Sequence, residues 1–67
     1  MKLVLVFKDN ADGIGEDKMQ PENMERAFRD FMSGEKRIQL FFKNRATSII
    51  NADHLVSMTL VEEGDSQ

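Results

Sequence analysis

The chain has 67 residues, no cysteine, one histidine and a formal net charge of −3. That allows one small domain, excludes disulfides and thiolate metal sites, and leaves His54 too isolated for a zinc centre of histidine and cysteine. A core of this size typically supplies no more than ~3–5 kcal/mol, so without a covalent or metal staple self-association is the expected extra source of stability.

Residues 3–7, LVLVF, form a short β-branched run that is apolar at every position. Leu3, Leu5 and Phe7 fall on one face of a strand, and Val4 and Val6 on the other. The pattern predicts a strand buried on both sides or lying at an oligomer contact. The stretch MKLVLVF is too short and too poor in small residues for a signal peptide, and far short of the ~20 apolar residues of a membrane span. A soluble cytoplasmic protein with no membrane partner is expected.

Residues 8–20 carry no apolar period and predict a long acidic loop. Its KDNADGIGEDKM invites two ligand readings, and both fail on chemistry. As a calcium loop with Gly13 at the sixth position, it has Lys8 where the first ligand belongs and Met19 where a bidentate glutamate belongs. As a dinucleotide fingerprint it offers GxG only, and Asp12, Glu16 and Asp17 would repel a pyrophosphate. No cofactor or metal is expected. Loops of this length are either functional or disordered.

From Pro21 the sequence turns helical. Pro21 suits the first helical position, and Glu22 and Glu25 suit the positive end of the helix dipole. Met24, Ala27, Phe28, Phe31 and Met32 recur at helical spacing, and Gly34 suits the position just past the end. Residues 37–43, RIQLFFK, predict a strand with Ile38, Leu40 and Phe42 inward. Asn44 and Arg45 predict a two-residue turn, which would set Leu40 opposite Ile49 and Phe41 opposite Ser48. ATSII returns as a strand, NAD marks a second turn, and HLVSMTLV over 54–61 predicts the last strand. Strict alternation there puts Val56, Met58 and Leu60 on the inner face and Leu55, Ser57, Thr59 and Val61 on the outer. Residues 62–67 are expected to be a flexible tail.

The sum is a single domain over 1–67 of class α+β, ordered β-α-β-β-β, with one helix packed on a small, mainly antiparallel sheet. The expected core is Leu3, Leu5, Phe7, Met24, Phe28, Phe31, Ile38, Leu40, Phe42, Val56, Met58 and Leu60. The sheet face away from the helix keeps a large apolar surplus, with Phe41, Ile50, Leu55 and Val61 as oligomer-contact candidates.

Catalysis finds little support. His54 is the one conceivable base, and its neighbour Asp53 would point to the opposite side of a strand. Nucleic acid is the stronger rival. Residues 36–45 hold Lys36, Arg37, Lys43 and Arg45 with no acid, interleaved with Phe41 and Phe42, a pattern that can contact phosphates and stack bases. The flanking segments are acidic, however, and pairing with them would also account for the four cations. The primary expectation is an interaction module with no catalysis, partnered by itself or another protein; weak nucleic-acid binding through residues 36–45 is the alternative.

The stretch SIINADHLVSMTLVEE, residues 48–63, resembles the ends of small uncharacterised proteins of bacteria and their phages. In those, an apolar strand runs through Ile-Asn and a turn into a last strand. That resemblance implies no activity. The same stretch is similar to the end of LytTR-type DNA-binding domains, where a strand and Val-Asn lead into such a turn. The preceding NRATS lacks most of the basic residues of that end, and 67 residues are too few for the whole domain.

Overall fold

The computed structural model describes residues 1–62, with all side chains but those at positions 11, 12, 14 and 16, so the tail expected over 62–67 lies, beyond its first residue, outside the described residues. Its elements are β1 (Lys2–Phe7), β2 (Asn10–Glu16), α1 (Pro21–Met32), β3 (Arg37–Phe41), β4 (Thr47–Asn51), a 3-10 turn (Ala52–His54) and β5 (Leu55–Val61). They make two antiparallel sheets, one ordered β2-β1-β5 and one of β3 and β4. The α+β class and the order of helix and strands agree with the sequence reading. Two features differ: there are two sheets where one was expected, and the segment expected to be a loop forms β2.

The apolar run of residues 3–7 becomes the central strand β1, which explains its double-sided hydrophobicity. Leu3 and Leu5 are buried beneath α1, and Val4 and Val6 are half-buried on the opposite face. β2 escapes an apolar-pattern reading because it is an edge strand, where charged residues are tolerated and the backbone alone supplies the pairing. Its register runs Leu3–Glu16, Val4–Gly15 and Leu5–Ile14, then slips to Phe7–Asn10. Gly13 sits in this irregularity at φ +78°, and a Cβ there would meet the Leu5 carbonyl oxygen and Val6 Cγ2 at 3.2 Å. Both the dihedral and the space call for glycine.

α1 packs against β3, β5 and β1, so it lies over both sheets. Pro21 opens the helix and Gln20 is its N-cap, with no side-chain cap. At the other end, Gly34 at φ +84° donates to the Phe31 carbonyl at 3.2 Å, and Glu35 donates to that of Asp30 at 3.1 Å. These two bonds form a Schellman motif, which satisfies carbonyls left open by the last turn. Met24 and Ala27 are buried and Phe28 and Phe31 half-buried, but Met32 is 71% exposed. At about 100° per residue Met32 lies on the margin of the stripe, turned away from the sheets.

The buried set is Leu3, Leu5, Met19, Met24, Ala27, Ile38, Leu40, Leu55 and Met58, with Phe7, Phe28, Phe31, Phe42, Ile50 and Leu60 packed around it. Two assignments change. Met19, in the expected loop, is fully buried and makes an isolated bridge with Phe42. It brings the segment leading into α1 against the β3–β4 hairpin. In β5, Val56 is 61% exposed and Leu55 is buried. The cause is a bulge: β5 pairs with β1 as Leu3–Leu60, Leu5–Met58 and Val6–Ser57, then slips to Phe7–Leu55. The extra residue reverses the alternation, extruding Val56 and turning Leu55 inward.

Candidate interaction surface

The β3–β4 hairpin carries most of the residues singled out for binding, and its loop decides where they point. The pairs are Arg37–Asn51, Ile38–Ile50, Gln39–Ile49, Leu40–Ser48 and Phe41–Thr47. This is one residue away from the register that a two-residue turn would impose. The loop has three residues instead, Lys43 to Arg45. Phe42 N–H donates to the Ala46 carbonyl at 2.9 Å, and Arg45 N–H donates to the Phe42 carbonyl at 3.0 Å. Arg45, not Asn44, takes the positive φ, at 71°. Asn44 braces the turn through its Oδ1, which accepts the Ala46 N–H at 3.0 Å. A type I turn followed by a left-handed residue is the usual three-residue hairpin.

A one-residue shift moves every side chain of β4 to the other face. Ile50 therefore joins Ile38 and Leu40 on the inner face and packs against the core. Ile49, 60% exposed, stands on the outer face, where half-buried Phe41 is its diagonal neighbour. Of the four oligomer-contact candidates, Leu55 is a core residue and Ile50 lines the core, both because of register changes. Phe41 and Val61 remain at the surface, Val61 37% exposed on β5. Ile49 is the exposed apolar residue that the two-residue-turn register placed on the inner face; the missing signal was loop length.

The four basic candidates do not converge. Lys36, Arg37, Lys43 and Arg45 are all exposed, but Lys36 and Arg37 enter β3 while Lys43 and Arg45 sit in the loop beyond its far end. At about 3.3 Å per strand residue the two pairs are roughly 20 Å apart. The loop pair adjoins an open cavity of about 400 Å³ lined by Lys18, Phe42, Lys43, Asn44 and Ala46. Lys43 N–H donates to the Lys18 carbonyl at 2.9 Å, which holds these two segments together. Phe42, rather than Phe41, is the aromatic residue beside the loop cations.

Asp53 and His54 both lie in the 3-10 turn and are exposed. Asn51 Oδ1 caps that turn by accepting the Asp53 N–H at 3.0 Å, and the His54 carbonyl accepts the Lys8 N–H at 2.9 Å. Both interactions are structural. A second, smaller cavity of about 230 Å³ is lined by Lys8, Asp9 and His54. Among the described residues no polar or charged side chain is buried and no three His, Cys, Asp or Glu side chains gather as a metal site. No helix among them is long and apolar enough to cross a membrane. Compared with family models, curated proteins and solved structures, the chain matches none.

Proposed function

We propose that this chain is a small protein-interaction module that self-associates. The observation that carries the reading is Ile49. A β-branched residue, 60% exposed on the outer face of a hairpin, leaves a large apolar side chain in water next to half-buried Phe41. Covering such a pair recovers roughly 25 cal/mol per Å² of apolar surface. A domain with no cysteine and a single small core gains proportionally from that burial. The proposal assigns no catalytic role to any residue. Sedimentation across low micromolar to about millimolar concentration tests it. A rise from the 7.7 kDa monomer towards twice that mass is expected, and a monomer throughout overturns the reading.

The cavity that Phe42 helps to line supports a second reading, the binding of single-stranded nucleic acid at the loop end. Lys43, Arg45 and Lys18 could meet two or three phosphates there, while Lys36 and Arg37 lie too far along the hairpin to join them. The salt dependence expected for that number of contacts is a log–log slope of about −1.4 to −2. Fluorescence anisotropy with a labelled oligonucleotide measures it. Binding that is unchanged by Lys43→Ala with Arg45→Ala removes this reading.

A further inference from the structure

We infer that the seam of self-association is the free edge of β4, joined antiparallel to β4 of a second copy and centred on Ile49. This deepens the self-association reading and rests on it.

The backbone directions come from two hydrogen bonds. Phe42 N–H donates to the Ala46 carbonyl at 2.9 Å, and Ala52 N–H donates to the Lys36 carbonyl at 2.8 Å. In an antiparallel ladder the bonded pairs alternate, so Ser48 and Ile50, lying between those two ends, also direct their N–H and C=O groups at β3. Thr47 and Ile49 direct both groups away from it, as Asn51 does its N–H, while the Asn51 C=O also opens the 3-10 turn. β4 is the edge of its sheet, so these groups point outward.

The other edges are blunted and this one is not. β2 has an irregular register at Gly13, which breaks the line of its edge. β5 carries the Val56 bulge, and Glu62 follows it. The far edge of β3 begins with Arg37, and the Met19–Phe42 bridge lies beyond its other end. β4 reads TSIIN, with no charge, proline or bulge, the composition of an edge left open to pairing.

Charge selects a second copy as the occupant. Centring on Ile49 sets Ile49 against Ile49, Thr47 against Asn51 and Asn51 against Thr47, so the two Ile49 residues exchange both bonds, each Asn51 N–H meets a Thr47 C=O, and each Thr47 N–H shares an Asn51 C=O with the 3-10 turn. The same register brings Arg45 at one end alongside Asp53 of the other copy, and the two-fold axis repeats the pair. Both are exposed. A self-complementary edge flanked by opposite charges is what an isologous contact requires.

Hydrogen exchange read amide by amide at two protein concentrations tests the seam. Raising the concentration should slow exchange at Thr47, Ile49 and Asn51 and leave Ser48 and Ile50 unchanged. A uniform response along β4, or none there while the protein dimerises, overturns the seam and leaves self-association standing. A monomer at every concentration overturns both. Ile49→Pro removes a donor that β3 does not use and should abolish the dimer. A folded Ile49→Pro variant that still dimerises overturns the seam. Should that variant misfold, the charge swap decides. Arg45→Asp and Asp53→Arg should each weaken dimerisation by a few-fold to about tenfold, and together restore it. A double variant as weak as the singles overturns the register.

Discussion

Val56 and Met24 show how differently two apolar residues of this chain are used. Met24 is 1% exposed, on the helix face turned to both sheets. Met24→Ala should lose transfer energy and leave a cavity, costing ~2–5 kcal/mol. That approaches the whole stability expected for a core of this size, so the variant should be largely unfolded at 37 °C by circular dichroism. Val56 is the extruded residue of a bulge. Val56→Thr should shift stability by no more than about 0.5 kcal/mol. Urea midpoints of the two variants check the bulge directly, because unbroken alternation would make Val56 a core residue and its replacement costly. At this scale the sequence was legible wherever period and burial agree, as at Leu3, Leu5, Ile38 and Leu40. It misled at Leu55 and Ile50, where one residue of register decides which face is wet.

Among the elements, the helix was the easiest to read, because its signals are local. Proline at its start, an apolar stripe and a glycine past its end act within a few residues of one another. The N-cap is the one weak position: Gln20 has cap dihedrals (φ −68°, ψ 146°) but no capping bond. Gln20→Asp should accept a free N–H of the first turn and add about 1 kcal/mol, measured as a higher urea midpoint. The β3–β4 loop offers a second gain. Arg45 holds φ 71°, a conformation that costs an L-residue about 1–2 kcal/mol. Glycine avoids that cost and loses more entropy on folding, by roughly 0.5–1 kcal/mol. Arg45→Gly should therefore add between zero and about 1.5 kcal/mol, measured at a dilution where the chain is monomeric. A lower midpoint would contradict the three-residue loop. That loop was not legible as such: NR fits a two-residue turn as well, and only the pairing of Phe42 with Ala46 separates the two.

For the whole molecule, the question is whether two sheets make one cooperative unit. They share no ladder, yet α1 packs on β3 of one and on β5 and β1 of the other. Met19, from the segment between β2 and α1, is buried in the same core. Unfolding one sheet would expose the helix face that the other needs, so the two should melt together. Phe41→Trp places a fluorescent reporter on the hairpin, while far-ultraviolet circular dichroism follows the helix and both sheets. Coincident urea transitions are expected. A hairpin that melts before the helix would mean that β3 and β4 are docked rather than integral.

The amino-acid sequence by itself determined the α+β class, the helix and its limits, the position of β1 and the apolar composition of the core. Each of these follows from the spacing of apolar residues and from turn chemistry acting over a few positions. Tertiary structure alone decided the pairing of β2, the bulge at Val56, the hairpin register and hence the exposure of Ile49. Backbone N–H and C=O groups are alike at almost every residue, so a strand can pair in several registers with similar hydrogen bonding. Which register wins depends on what the side chains meet across the sheet and beneath the helix, and those partners are distant in the chain.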